Sequence, residues 1–288
     1  MREIVVISGK GGTGKTSIAS AFAQLEGENA IIADCDVDAA NMHILMKADF
    51  GISEEFYSGF QAFIDNSKCM RCSKCIEICH FDAITNDFIV DELSCEGCGY
   101  CSLVCPEQAI TMKEAYTGRV FVSKTRFNNT LVHARLEIAG ENSGKLVSEV
   151  KSQAQALAKK ENCGILLVDG SPGIGCPVIA SLTKATLALI ITEPSISGYS
   201  DMVRLYDLIS RFGIPAAILI NKYDLNEVYQ EKIVSFSDKN DIPIIGKVPY
   251  DTSFTEAMRQ MKTILELSRN GIADILINAW ETIKNMKL

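Results

Sequence analysis

Two cysteine runs of identical spacing, 26 residues apart, interrupt a chain that otherwise alternates short apolar strands with amphipathic helices. They are Cys69-x2-Cys72-x2-Cys75-x3-Cys79 and Cys95-x2-Cys98-x2-Cys101-x3-Cys105-Pro106. Phe63-Ile64-Asp65 through Thr85 aligns with Ile89-Val90-Asp91 through Thr111 at the same offset. Both copies close on Cys-x3-Ala-Ile-Thr. A repeat this short cannot enclose a bound group alone, so two copies are expected to pack as a pseudo-symmetric pair over residues 60–113.

Thiolates at this spacing are the pattern that holds a pair of [4Fe–4S] clusters, with the fourth cysteine of each run ligating the other run's cluster. One ligand set is then Cys69, Cys72, Cys75 and Cys105, and the other is Cys95, Cys98, Cys101 and Cys79. Zinc competes for C-x2-C pairs, but zinc sites rarely use three such steps followed by x3-Cys, still less twice. The copies differ at one place of interest: His80 stands where the second run has Pro106. Cys35, Cys163 and Cys176 fall outside the runs and read as small buried hydrophobes, Cys176 alone meriting a test.

The sequence on either side predicts a nucleotide fold. Ile4–Ile7 reads as a buried strand and Ser17–Leu25 as a helix. Between them lies Gly9-Lys10-Gly11-Gly12-Thr13-Gly14-Lys15-Thr16-Ser17, which fits the phosphate-loop pattern G-x-x-x-x-G-K-[ST]. Its glycines let backbone N–H groups wrap a polyphosphate at a helix N-terminus; Lys15 is placed for the β- and γ-phosphates and Thr16 for Mg²⁺. Further strands are expected at Ala30–Ala33, Ile165–Val168, Leu187–Thr192, Ala216–Ile220 and Ile244–Val248, with a β-ribbon at Arg119–Ser123 and Thr130–Ile138. Helices are expected at Lys145–Lys160, Ser200–Phe212, Asn226–Lys239, Thr252–Met261 and Ile272–Lys284. Apolar strands alternating with helices imply an α/β fold whose mainly parallel sheet is covered on both faces. The expected organisation is a P-loop NTPase domain in two parts, 1–59 and 114–288, around an inserted α+β ferredoxin-like domain at 60–113.

With Lys10 included, the loop resembles the deviant Walker A of the MinD/ParA/Mrp-type P-loop ATPases and, more distantly, of the nitrogenase iron protein. The chain resembles nearly end to end the subgroup that carries an inserted 2[4Fe–4S] ferredoxin. The resemblance implies ATP with Mg²⁺, and a homodimer in which Lys10 crosses to the partner's nucleotide. Asp34-Cys35-Asp36 is similar to the first switch, with Asp36 orienting the attacking water and Asp38 a less secure neighbour. Leu166 through Gly173 is similar to Walker B and the second switch: Asp169 would hold the Mg²⁺ shell and Gly173 would sense the γ-phosphate. Asn221-Lys222-Tyr223-Asp224 is similar to the family's adenine-contacting segment, and Pro249 with Asp251 to its second base-flanking loop. The first of these also fits N-K-x-D of GTPases, so GTP stays a second candidate.

A net charge of −8 argues against nucleic-acid binding. Eight of eleven cysteines lie in the runs of a 288-residue chain, which favours a reducing cytoplasm over a disulfide scaffold. No apolar stretch reaches the roughly 20 residues that cross a bilayer, no leader pattern opens the chain, and the last helix lacks a basic amphipathic face. His43 and His133 sit among apolar neighbours and read as structural; Asn142 or Ser143 reads as a helix cap. The function implied is an ATPase whose dimer switching is coupled to electron transfer or metal-cofactor assembly, acting with a redox or assembly protein. A positioning ATPase with sensing or structural clusters is the alternative. A passive electron carrier is disfavoured by the intact loops.

Overall fold

The computed structural model describes residues 1–137, 143–267 and 271–287. The chain divides into two compact units. The first comprises Met1–Glu54, Val120–Arg135 and the chain from Ser143 onward; the second comprises Glu55–Arg119 and the short segment after Arg135.

The described strands are β1 (Arg2–Ile7), β2 (Ala30–Asp34), β3 (Ile52–Ile64), β4 (Ile110–Lys124), β5 (Thr130–Leu136), β6 (Ile165–Asp169), β7 (Leu187–Thr192), β8 (Ala216–Asn221) and β9 (Ile244–Val248). Their order in the sheet is β3-β4-β5-β2-β6-β1-β7-β8-β9. From β5 to β9 every neighbouring pair runs parallel, as continuous apolar strands require. The chain leaves β1 for β2 on one side and enters β7 on the other, so the order reverses at the carboxyl end of β1. That crevice is where an open α/β sheet presents its ligand site.

The helices Lys15–Glu26, Ser143–Lys160, Cys176–Leu182, Ile196–Arg211, Glu227–Lys239 and Ile272–Asn285 belong to the first unit. Ser195 and Asn226 cap two of them by accepting the N–H groups of Gly198 and Tyr229. The helix near Lys145 begins at Ser143; Asn142, the other candidate cap, lies outside the described residues. Phe22 stacks on Trp280 with ring centroids 4.7 Å apart, and the Trp280 indole N–H donates to Glu26 at 2.6 Å. The last helix is thereby fixed on the helix that follows the phosphate loop.

Three features differ from the sequence expectation. β3 was not anticipated, and β4 begins at Ile110 rather than at Arg119. Both stretches are exposed along much of their length, with Glu54, Glu55 and Gly59 in one and Lys113 and Glu114 in the other. Neither carries the continuous apolar run of a buried strand. The short helix Cys176–Leu182 was also unforeseen, since Pro177 looks like a breaker until it is seen in the first helical turn.

The second unit folds the repeat twice. Arg71 and Gly97, Ser73 and Gly99, and Asp82 and Gln108 are pairs of equivalent positions, and all six take positive φ. The residues Ser73 and Gly99 open the matching short helices Lys74–Ile78 and Tyr100–Val104. Each copy bonds across to the other: Asp65 N–H donates to Ala109 O at 2.8 Å, and Asp91 N–H to Ala83 O at 2.7 Å. Ala62, Ile64, Cys75, Ile84, Phe88, Cys101 and Ile110 form the small core of this unit.

Candidate functional site

Lys15 is the centre of the first site. It opens the helix after β1, is only 5% exposed, and donates to Asp169 Oδ1 at 2.8 Å and to Asp36 Oδ2 at 3.3 Å. β6 delivers Asp169, and the turn after β2 delivers Asp36; the two strands are adjacent, with Asp34 opposite Asp169. Burial opposes the charge on Lys15, but Asp169, Asp36 and Asp34 overcome it and raise its pKa. Burial raises the Asp169 pKa against the pull of Lys15. Its Oδ2 is buried with no hydrogen-bond partner among the described residues.

Asp34 is the member of this group that sequence reasoning passed over. Its oxygens accept the N–H groups of Asp36 and Met42, which ties the first switch to the end of β2. Burial, and then the nearby Asp169, push its pKa to about 8. Three carboxyl groups crowd one ammonium in a buried place, and Asp34 relieves that crowding by holding its proton. The Asp-x-Asp spelling was the available signal, but only the pairing of β2 with β6 shows why both matter.

The loop itself is held by close contacts. Gly14 has φ +90°, and a Cβ there would lie 2.4 Å from Asn221 Nδ2. Asn221 uses that amide to donate to Thr13 O at 2.7 Å, so it braces the loop from the end of β8. A Cβ on Gly9 would meet the backbone of Asp201 at 2.5 Å. The Gly173 N–H donates to Ser8 O at 2.9 Å, joining the loop to the segment after β6. Lys10 points to its own chain: it pairs with Glu193 at 2.6 Å and donates to Ser197 Oγ at 3.0 Å. Lys222 takes the other Glu193 oxygen at 2.8 Å and also donates to Gly12 O at 3.1 Å. Burial opposes ionisation of Glu193, but the two lysines hold its pKa below the usual range. Glu193, unremarked in the sequence, is therefore a shared counter-ion.

A cleft of about 610 Å³ connects these groups. Thr13, Lys15, Thr16, Ser17 and Asp36 line one part of it, and Asn221, Lys222, Pro249, Tyr250 and Asp251 another. Asp224 accepts the Tyr250 N–H at 2.7 Å, which fastens one of these loops to the other.

The cysteines of the second unit gather around two cavities. One is lined by Cys69, Cys72, Cys75 and Cys105; the other by Cys79, Cys95, Cys98 and Cys101. Each thus takes three cysteines from one run and the fourth from the other. The fourth sulfurs have matching environments: Cys79 Sγ accepts Ala83 N–H at 3.4 Å, and Cys105 Sγ accepts Ala109 N–H at 3.3 Å. All eight thiols are free of disulfides. Among the described residues no three His, Cys, Asp or Glu side chains converge as they would on a single ion; the cysteines surround spaces instead.

His80 is exposed and lines neither cavity. Cys35 is fully buried, and burial pushes its thiol up to about 12. Cys176 is exposed at the start of its helix. His43 and His133 stack with centroids 5.3 Å apart. No described helix is long and apolar enough to cross a membrane.

An uncharacterised protein of Methanocaldococcus jannaschii is 34% identical over 271 residues, covering 92% of this chain and 95% of that one. The pyruvate synthase subunit PorD of Methanothermobacter marburgensis is 39% identical over 54 residues, 19% of this chain and 67% of that one. The fold is similar to that of the septum site-determining protein MinD from Pyrococcus horikoshii OT3, solved with Mg-ADP, at a TM-score of 0.61 and 17% identity, covering 99% and 96% of the two chains. Residues 4–264 match the CobQ/CobB/MinD/ParA nucleotide-binding domain, and the chain belongs to that family.

Proposed function

We propose that this family member binds and hydrolyses ATP in a homodimer and carries two [4Fe–4S] clusters, coupling nucleotide state to electron transfer or metal-cofactor assembly. One observation carries the reading: a chain with a phosphate-loop lysine held between two switch carboxylates also surrounds two cavities with four cysteines each. The donor set fits iron–sulfur clusters, because thiolates arranged around a space suit a multi-iron group better than one tetrahedral ion. The 54-residue match to PorD has the length of segment 60–113, which is consistent with a separately evolved module.

The nucleotide site fits Mg²⁺ equally. The partnerless Asp169 Oδ2 and the crowding of buried carboxyl groups beside it are what a hard divalent cation would satisfy, with Thr16 Oγ1 as its second protein partner. Bound Mg²⁺ would supply neutralisation of polyphosphate charge. Lys15 would exchange its ion pairs with Asp36 and Asp169 for the phosphates. That exchange frees Asp36 to orient the attacking water and Asp169 to serve the cation's shell. Gly173 would turn its N–H from Ser8 O to the γ-phosphate, and Lys10 would leave Glu193 for the partner's nucleotide. Asn221, Pro249 and Asp251 would flank the base. Adenine is favoured over guanine by the resemblance of the Lys10 loop and of the Pro249–Asp251 segment to those of ATP-binding relatives, and Asp224 is already engaged by the Tyr250 N–H.

The test is anaerobic purification, followed by measurement of iron, sedimentation and cluster reduction rate with ADP and with a non-hydrolysable ATP analogue. Two clusters per chain, ATP-dependent dimers and a nucleotide-dependent reduction rate are expected. A colourless, iron-free protein would overturn the cluster reading. The fold likeness to MinD along the whole chain favours one other reading, a positioning ATPase. Its mark would be ATP-dependent association with a surface while cluster reduction ignores the nucleotide.

A further inference from the structure

The repeat makes the two cysteine cavities near copies, and several of the places where the copying fails change the charge beside them. We infer, on the reading that each cavity holds a [4Fe–4S] cluster, that the two clusters have unequal reduction potentials. The cluster held by Cys69, Cys72, Cys75 and Cys105 accepts an electron first, because Arg71 and Lys74 line its cavity.

A cluster's potential is set by its type, the net charge nearby, hydrogen bonds to sulfur and exposure to solvent. Type is the same, since both cavities present four cysteines. Hydrogen bonding is matched at the fourth sulfurs, by Ala109 N–H at 3.3 Å and Ala83 N–H at 3.4 Å. Exposure is matched as well: Cys75 and Cys101 are 7% and 9% exposed, and Cys72 and Cys98 are both at the surface. Charge is the remaining lever, and it is not matched. The first cavity is lined by Arg71, Lys74 and Glu107; their equivalents in the other copy are Gly97, Tyr100 and Phe81, which line the second cavity. Among the described residues, Glu96 is the only charged one lining that second cavity, opposite Met70 in the first copy. Among the described residues Arg71, Lys74, Glu107 and Glu96 make no ion pair, so the two cations outweigh the Glu107 carboxylate at the first cavity, while Glu96 stands alone at the second.

Arg71 is also held in place. Its guanidinium lies 5.9 Å from the centroid of Phe88, whose ring lines the same cavity. It does so with φ +56°, where the second copy has Gly97 at φ +63°. A left-handed conformation disfavours every residue with a Cβ, so glycine is the easier residue at this position. The side chain that replaces it puts a cation beside the cavity. Adding one electron makes a cluster more negative by one charge; nearby cations favour that reduced form and a nearby carboxylate opposes it. An electron from a low-potential one-electron donor, itself oxidised by one electron, would therefore rest on the Arg71 side before passing onward.

The experiment is an anaerobic dithionite titration of the full chain, followed by EPR, for wild type, Arg71→Gly, Lys74→Gln and Glu96→Gln. Wild type is expected to show two separated one-electron reductions. Arg71→Gly and Lys74→Gln should each lower the upper one, and Glu96→Gln should raise the lower one. Arg71→Gly removes backbone strain, so a shift there cannot be assigned to misfolding, and iron content checks that both clusters remain. Coincident reductions in wild type, or an upper reduction indifferent to both cation variants, would overturn the inference while leaving the clusters themselves in place. Absence of iron would instead defeat the cluster reading on which it rests.

Discussion

The buried carboxylates around Lys15 make the nucleotide-free protein sensitive to pH in a calculable direction. Asp34 keeps its proton to about pH 8 in the fold, against 3.8 as its ordinary value, so the folded chain binds more protons than the unfolded one over that interval. Stability from this group is complete below its unfolded pKa and is lost as pH rises toward 8. His133 works the other way. Burial, then His43, lowers it from 6.5 to about 4, so its contribution is lost as pH falls through that window. Urea denaturation of the nucleotide-free protein is therefore expected to give a plateau between about pH 4 and 6.5, where the two slopes oppose each other, and from there a decline toward pH 8 of at most about 1.4 kcal/mol per unit from Asp34. Mg²⁺ with ADP should flatten the alkaline side, and a decline that persists unchanged with bound Mg-ADP would argue against the proposed cation position. Lys15→Gln removes a charge-assisted contact worth about 1.5–3 kcal/mol, so calorimetry should show nucleotide affinity reduced about ten- to hundredfold. Lys15 was legible in the sequence because its motif is contiguous. Asp34 and Glu193 were not, since their roles come from strand pairing and from lysines far away along the chain.

Elements tell the same story about local and distant information. The strands β1, β6, β7 and β8 were plain because burial on both faces demands unbroken apolar runs. The strand β3 hid because its sequence, from Ile52 to Ile64, mixes exposed acids, aromatics and Gly59, whose φ is +79°. An exposed strand needs no strict apolar pattern, so periodicity has nothing to detect. The cysteine repeat was readable because 26-residue self-similarity survives even where its elements are five residues long. Its weakest equivalence is also its best structural probe. A Cβ at Gly97 would lie 2.0 Å from Phe60 O, and the φ of +63° is unfavourable in itself. Gly97→Ala is expected to destabilise the second unit by about 2–4 kcal/mol. Arg71→Gly at the equivalent position should leave it unchanged or stabilise it by about 1 kcal/mol. Hydrogen exchange of Glu55–Arg119 distinguishes the two, and equal protection losses would refute the close contact assigned to Gly97.

At the scale of the whole chain, the two units depend on different cohesion. The first has a large aliphatic and aromatic core that includes Phe22, Leu167 and Trp280, and every side chain lining the nucleotide cleft belongs to it. Among the described residues the second has a core of seven buried residues, two of which are the cysteines Cys75 and Cys101, with four more cysteines packed at its edge. A unit of this size buries too little apolar surface to stand on hydrophobic cohesion alone and ordinarily needs a staple or a metal. In the proposed reading the clusters are that staple, since a metal group bound only by the folded state adds its binding energy to folding. Replacing Cys75 and Cys101 together by serine takes one ligand from each cavity. The expected result is rapid proteolysis confined to Glu55–Arg119, loss of iron, and ADP affinity within about threefold of wild type, because no nucleotide contact has been touched. If the doubly substituted protein instead lost ADP binding with its iron, the clusters would be required for the nucleotide fold as well as for their own module. If it kept its protease resistance without iron, the small core would be sufficient, and the cysteines would owe their placement to function alone.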